Sequence, residues 1–83
     1  SYNSNISEQI KIYPNPAENT INIVTENSVV ELVEITNSLG QVVIRKESQN
    51  NILKVDVSNL EYGTYLLNVL SQETYLNKII IKK

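Results

Sequence analysis

Two closely spaced carboxylates could, by their type, act as a general acid and a nucleophile. Glu31 and Glu34 lie in an apolar run that predicts a β-strand, and a pair of carboxylates is the usual catalytic equipment of a glycosidase. Side chains alternate between the two faces of a strand, so an odd separation places this pair on opposite faces unless a bulge brings them together. We therefore interpret both as solvated strand glutamates, the usual state of such residues.

The loop after the first predicted strand contains a candidate set of calcium ligands. Asn15, Glu18 and Asn19 all carry side-chain oxygens, which are the ligands that calcium prefers. Only one of the three is a carboxylate, and the Asp-x-Asp spacing of a calcium loop is absent. Turn formation explains these residues better, and we expect no metal site.

The residue content excludes most other catalytic chemistry. The 83 residues include no histidine and no cysteine, which removes imidazole bases, thiolates and zinc sites of the usual kind. A serine nucleophile would need an activating base, and the serines lie in predicted turns without one. The sequence thus predicts that the chain is not an enzyme and uses no cofactor.

Charge and hydropathy exclude two classes of partner. Seven basic and nine acidic residues give a net charge of −2, whereas nucleic-acid binding needs clustered positive charge. No apolar run approaches the ~20 residues of a membrane-spanning helix. Residues 1–7 are polar and unlike a signal peptide, so we expect any such signal to lie in an upstream portion of the protein.

Aliphatic alternation predicts an all-β chain. Tryptophan, phenylalanine and methionine are absent, so isoleucine, valine and leucine must build the core, and the β-branched residues favour strands. Short apolar runs recur at the interval expected of a sandwich, and no helical period persists. A slip of phase in the third run predicts a bulge or burial on both faces. The predicted strands are residues 9–13, 20–25, 29–36, 41–46, 52–57, 64–70 and 74–82.

The turns between these strands narrow the architecture. In the third turn, Gly40 supplies the positive φ of a hairpin. Residues 58–63 predict a single helical turn capped at each end. The spacing Leu60-x-x-Gly63-x-Tyr65 before a strong strand resembles the tyrosine corner of immunoglobulin-like sandwiches. The combined pattern predicts a seven-stranded immunoglobulin-like antiparallel β-sandwich.

The last run of the sequence has two interpretations. Lys78-Ile79-Ile80-Ile81-Lys82-Lys83 is an aliphatic stretch bounded by lysines. Structurally, it predicts a buried last strand whose lysines protect a flat edge from aggregation. Functionally, it could be a charged C-terminal tag, an interpretation that needs support from the rest of the sequence.

An ordered series of short motifs gives that support. The series is Ile12-Tyr13-Pro14-Asn15-Pro16-Ala17, Ile21-Asn22-Ile23, Ile35-x-x-x-Leu39-Gly40-Gln41-Val42-Val43, Val55-Asp56-Val57-Ser58-x-Leu60-x-x-Gly63-x-Tyr65-Leu66-Leu67 and Lys78-Ile79-Ile80-Ile81-x-Lys83. It closely resembles the type A C-terminal sorting domain of the type IX secretion system, a family that caps exported proteins of the Bacteroidetes. Each motif is weak alone, but together they cover about residues 9–83 and are highly specific.

The resemblance implies a folded secretion signal with the same seven-stranded sandwich fold. It implies that an upstream cargo domain in the same chain enters the periplasm, and that the type IX machinery carries it through an outer-membrane translocon to the cell surface or the medium. A sortase-like cysteine peptidase of the machinery commonly removes the sorting domain. Residues 1–8 would then be a polar linker to the cargo, and residues 9–83 the sorting domain.

Each family motif corresponds to individual positions of this sequence. The resemblance implies that the last of these motifs, Lys78–Lys83, is essential for export. We interpret the prolines as structural and place the export signal nearer the terminal lysines. The matching positions are Pro14, Asn15 and Pro16, then Gly40 and Gln41, then Gly63 and Tyr65, and finally Lys78, Ile79, Ile80, Ile81, Lys82 and Lys83.

An alternative is a non-catalytic immunoglobulin-like binding or spacer module of a secreted enzyme, for instance a carbohydrate-binding one. Sugar sites combine exposed aromatic rings with polar groups that orient the sugar. We expect Tyr65 to be buried, and Tyr2, Tyr13, Tyr62 and Tyr75 form no obvious cluster in the sequence. The pattern therefore favours the secretion signal.

Overall fold

A computed structural model describes residues 10–26, 28–72 and 74–83, and each of the seven predicted strands is present there. The largest difference is at the fourth strand, which continues to Asn50. Its second half is polar and lacks apolar alternation, but it still pairs with the third strand. The strands are β1 (Ile10–Tyr13), β2 (Thr20–Thr25), β3 (Val30–Thr36), β4 (Val42–Asn50), β5 (Ile52–Asp56), β6 (Gly63–Ser71) and β7 (Thr74–Lys82).

The strands form two sheets that enclose one core. The three-stranded sheet has the order β1-β2-β5, and the four-stranded sheet has the order β4-β3-β6-β7. Neighbouring strands in both sheets are antiparallel. The chain changes sheet between β2 and β3, between β4 and β5 and between β5 and β6, as in immunoglobulin-like sandwiches. The predicted fold class is confirmed.

The core is aliphatic, as the composition predicts. Alternate residues of each strand point inward, and most inward positions of both sheets carry isoleucine, valine or leucine, with Thr25, Ser71 and Lys82 as buried polar exceptions. Truncating one of the larger side chains to alanine in such a core costs ~2–5 kcal/mol. The core residues that are at most 1% exposed are Ala17, Ile21, Ile23, Val30, Val33, Ile35, Val55, Val57, Leu67, Val69 and Ile80.

The slip of phase in β3 corresponds to a β-bulge, as predicted. Val30 and Val33 are both fully buried, although their odd separation would place them on opposite faces of a regular strand. The pairing with β4 shifts between Val30 and Leu32, where Glu31 alone lies opposite both Ser48 and Gln49. The extra residue of the bulge is therefore in β4, and the bulge coincides with the change of face between Val30 and Val33.

The connection between β5 and β6 is a tight turn, and the predicted helical turn there is wrong. The Leu60 N–H donates to the Val57 carbonyl over 3.0 Å, and the Ser58 N–H donates to the Asp56 carboxylate over 2.9 Å. Because Asp56 caps the turn and Gly63 already begins β6, too few residues remain for a helix. Hydrogen bonds from the Ser58 side chain, and then from its N–H, lower the pKa of Asp56 below 3.8.

The sandwich has two distinct ends. At one end lie the β1–β2 loop, the β3–β4 turn, the β5–β6 corner and the end of β7, and we call it the motif end. At the opposite end lie the start of β1 and the β6–β7 turn, since Ile10 pairs with Thr25 and Ser71 pairs with Thr74. Within the described ranges, no helix is long and apolar enough to cross a membrane.

Candidate functional site

The Pro-Asn-Pro segment lies directly against the terminal strand. The Asn15 side chain donates from Nδ2 to the Ile79 carbonyl over 3.2 Å, and its Oδ1 accepts the Ile81 N–H over 3.1 Å. A side-chain amide has the donor and acceptor of a backbone peptide, so Asn15 pairs with the edge of β7 as another strand would. The first and last motifs of the sequence are therefore in direct contact.

Ala17 continues this pairing along the same edge. Its N–H donates to the Ile81 carbonyl over 2.7 Å, and its carbonyl accepts the Lys83 N–H over 2.8 Å. The bridge to Lys82 is parallel, and Ala17 is fully buried. We call residues 15–17 the strap, because they cover the outer edge of β7 from Ile79 to Lys83.

The two prolines shape the segment that carries the strap. Proline has no N–H and a fixed φ, so neither Pro14 nor Pro16 competes for the acceptors of β7. Both X–Pro peptide bonds are cis, and both rings are exposed. The structural interpretation of the prolines fits this arrangement, in which Asn15 and Ala17 make the contacts.

The β3–β4 turn that contains Gly40 and Gln41 is organised by Asn37. The Asn37 Oδ1 accepts the N–H groups of Leu39 and Gln41 over 2.9 and 3.0 Å, and Gly40 has a φ of +82°. The Gly40 N–H also donates to the Asn37 carbonyl over 3.0 Å. The predicted hairpin turn is confirmed, and the Asn37 side chain fixes its shape.

The β5–β6 corner contains the predicted tyrosine corner. The Tyr65 hydroxyl donates to the Glu61 carbonyl over 2.9 Å, which ties the start of β6 to the chain before it. Gly63 has a φ of +150° and pairs with Lys82 of β7. Tyr65 is only half-buried, less than predicted, because its ring packs at the margin of the core while its hydroxyl remains near the surface.

We expect Tyr65→Phe to lower the free energy of unfolding by about 1 kcal/mol, because it removes one hydrogen bond and leaves the Glu61 carbonyl without that donor. Urea unfolding measures this change. Tyr75→Phe is the matched control, since the Tyr75 side chain is 61% exposed and we expect no effect there. Equal stability of both variants would show that the corner bond contributes nothing.

The sequence predicts Lys82 to be a surface lysine that protects the edge of the sheet, but in the structure it is only 7% exposed. Its Nζ donates to the Lys83 carbonyl over 2.9 Å and lies 5.8 Å from the centre of the Tyr62 ring. The ammonium group thus lies beside an aromatic ring, at a distance that allows a cation–π contact. Lys82 therefore links β7 to the β5–β6 corner, whereas Lys78 and Lys83 are exposed.

The prediction that the last strand is buried is wrong for two of its three isoleucines. Ile80 is 1% exposed and belongs to the core, but Ile79 is 62% and Ile81 46% exposed. The reason is that β7 is an edge strand of a two-layer sandwich, so only its inward face meets the other sheet. The outward isoleucines lie on the free face of the four-stranded sheet.

The structure brings most of the predicted motif positions to the motif end. A groove of about 480 Å³ separates the β3–β4 turn from the β5–β6 corner, so the Gly40 turn lies beside Gly63 and Tyr65. The strap holds the last residues of β7 at the same end. Lys78 is farther away, because it pairs with Leu67 nearer the middle of the sheet.

The other sequence candidates are used structurally or lie apart. Glu34 Oε2 is 3.3 Å from Arg45 Nε, the geometry of a surface ion pair. The Asn15 amide is occupied by β7. Among the described residues no group of three Asp, Glu, His or Cys side chains could hold a metal ion. The aromatic rings are spread over β1, the corner and β7, and Tyr2 lies outside the described residues.

Two residues that hold the motif segments in place were not predicted. Ala17 appears only as a neighbour of the second proline, and nothing in the sequence indicates that its backbone pairs with β7. Asn37 could have been identified, because an asparagine two residues before a turn residue commonly accepts the following N–H groups. Both act by holding the motif segments in place.

Fold and site together define an immunoglobulin-like recognition module. It gathers most of its distinctive residues at one end and presents hydrogen-bonded loops and the exposed Lys83 there. Comparison with known families agrees with this class: residues 11–83 match the secretion system C-terminal sorting domain. The chain belongs to that family, whose domain is a C-terminal secretion signal of the type IX secretion system and is not itself catalytic.

A solved structure shares the fold. PorZ of Porphyromonas gingivalis, an essential bacterial surface component of the type IX secretion system, superimposes with a TM-score of 0.73 at 17% sequence identity. The match covers 94% of this chain and 12% of the PorZ chain. No curated protein matches the sequence. The family's signal implies recognition by the type IX machinery and export to the cell surface or the medium.

Proposed function

We propose that this domain directs a cargo protein, located upstream in the same chain, from the periplasm through the outer-membrane translocon of the type IX system. The cargo then stays at the cell surface or is secreted. The observation that carries the proposal is the pairing of the strap with β7, because it joins the first and last family motifs into one surface.

The motif end is the surface that we assign to recognition. Pro14 and Pro16 act as structural residues that shape the segment from which Asn15 holds β7. Gly40, Gln41, Gly63 and Tyr65 shape the two neighbouring connections. Lys82 fastens β7 to the corner. Lys78 and Lys83 remain exposed, so their charges are the ones that a partner would meet directly.

The course of the chain supports this division of roles. β1 begins at the opposite end of the sandwich, and nine-residue strands span about 30 Å. The chain therefore enters the sandwich at the end opposite the strap. A cargo held near that entry would leave the motif end free for a component of the translocon.

The domain acts by binding and carries out no reaction itself. We infer that a sortase-like cysteine peptidase of the machinery removes it after export by cutting within residues 1–8, the proposed polar linker. Residues 9–83 would then form the sorting domain. A cut there would release the sandwich intact, because every described strand lies beyond it.

The proposal is tested with a reporter protein placed behind a periplasmic export signal and ahead of residues 1–83, expressed in a bacterium with a type IX system. We expect the reporter at the cell surface or in the medium in normal cells, and in the periplasm of cells whose translocon is deleted. A reporter that stays in the periplasm of normal cells would refute the proposed function.

A further inference from the structure

The outer faces of the two sheets differ in character. On the three-stranded sheet the outward residues are mainly charged or polar and include Lys11, Lys54 and Asp56, while Tyr13 and Ile52 are exposed apolar residues near opposite ends of that face. A charged or polar outer face is usual for an antiparallel sheet with one side in water. The four-stranded sheet departs from this pattern at the motif end.

An exposed apolar row crosses the four-stranded sheet there. Leu66 lies opposite Ile79 in β7 and opposite Thr36 in β3, and Thr36 lies opposite Val42 in β4. Ile81 follows on the same face, paired with Thr64. The exposed fractions are 51% for Val42, 36% for Leu66, 62% for Ile79 and 46% for Ile81. We call these four residues the outer row.

The outer row is continuous with the strap. The backbones of Ile79 and Ile81 bond to Asn15 and Ala17, while their side chains project from the free face of the sheet. The next row toward the sheet centre is polar and contains the Glu34–Arg45 ion pair together with Asn68 and Asn77. This polar row separates the outer row from a second, smaller apolar row of Leu32, Leu70 and Tyr75 near the opposite end of the sheet.

Resting on the proposed function, we propose that the outer row is a docking surface for an apolar patch on a protein component of the type IX machinery. The chain ahead of Ile10 enters at the opposite end and on the other sheet, which favours the machinery over the cargo as the occupant. The type IX machinery is the partner that the family implies.

The size of the row argues against a second copy of this chain. A fully exposed aliphatic side chain presents roughly 60–120 Å², so four half-exposed ones present on the order of 120–240 Å². A stable dimer buries about 800 Å² on each partner. The row suits one part of a transient contact, whose remainder is supplied by the strap and the neighbouring loops.

The test replaces two outward isoleucines with residues of similar shape. Ile79→Thr with Ile81→Thr keeps β-branching and strand preference, and neither side chain belongs to the core. The matched control is Ile52→Thr, on the outer face of the three-stranded sheet at 59% exposure. Each variant is fused to the exported reporter and compared with the wild-type domain.

We expect the double variant to reduce surface delivery at least about tenfold, with an unchanged urea midpoint, and the control to behave as wild type. If the wild-type domain and the double variant both deliver the reporter normally, the outer row is not a docking surface, while the proposed function stands. An undelivered wild-type reporter would instead refute the proposed function.

Two measurements on the purified domain separate the other occupants. Sedimentation at about 100 μM should give a monomer, and flotation with anionic phospholipid vesicles should leave the domain unbound. If the wild-type domain is a dimer and the double variant is a monomer, the partner of the outer row is a second copy of this chain and not the machinery. If the wild-type domain binds the vesicles and the double variant does not, the partner of the outer row is a lipid surface.

Discussion

Removal of Lys78–Lys83 will unfold this domain as well as stop its export. The deletion takes away Ile80, a fully buried core residue, whose loss alone costs ~2–5 kcal/mol. It also removes the partners of Gly63 through Leu67 on β6 and leaves the strap with no strand to cover. A domain of this size has a total stability of ~4–12 kcal/mol, so the loss of Ile80 together with five strand pairs and the strap contacts is expected to unfold it.

Thermal unfolding followed by circular dichroism measures this effect. We expect a cooperative transition for the full chain and none for the deletion. The matched control is Ile80→Val, which removes one methylene and should lower stability by only about 1 kcal/mol. A deletion variant that keeps a cooperative transition would show that β7 is dispensable for the fold and acts purely as a signal.

Asn15→Ala is the second change with a large expected effect. It removes both bonds between the strap and β7, at ~0.5–1.5 kcal/mol each, so we expect a loss of about 1–3 kcal/mol. The substitution also uncovers the backbone of Ile79 and Ile81 at a sheet edge. Uncovered edges with exposed aliphatic residues pair with other chains, so the variant should self-associate.

Urea unfolding and sedimentation test the two parts of this prediction, and hydrogen exchange at the Ile81 amide locates the change. Asn19→Ala is the matched control in the same loop, because the Asn19 side chain is exposed and bonds to no described residue. If Asn15→Ala matched Asn19→Ala in stability, association and exchange, the strap would have no structural role.

The strands could be predicted because apolar and polar residues alternate wherever one face of a strand is buried and the other is exposed. Leu53, Val55 and Val57 alternate with polar residues and all three are buried. β4 could be predicted only in part. Its second half is polar and lies at an exposed edge, so the sequence there shows no alternation of apolar residues, although the backbone still pairs with β3. Hydrogen bonding between strands does not depend on side-chain type, so such segments are invisible to pattern analysis.

The site was predictable in its parts but not in its assembly. The Asn15 motif and the terminal motif were both identified, but their contact spans 64 and 66 residues and arises only when the sandwich closes. The run Ile79-Ile80-Ile81 carries no alternation, so the sequence could not distinguish the buried residue from the exposed ones. Charge placed Lys82 at the surface, whereas the residue is only 7% exposed.

The most direct test of the central claim measures export and stability together for a domain whose terminal charges are reversed. Lys78→Glu with Lys83→Glu alters the two exposed terminal lysines, and Lys11→Glu with Lys54→Glu is the matched control on the other sheet, where both lysines are also exposed. If the machinery recognises the exposed charges of the terminal motif on the folded domain, both double variants keep the wild-type urea midpoint and only the terminal one leaves the reporter in the periplasm. Wild-type delivery of the terminal variant would contradict the account.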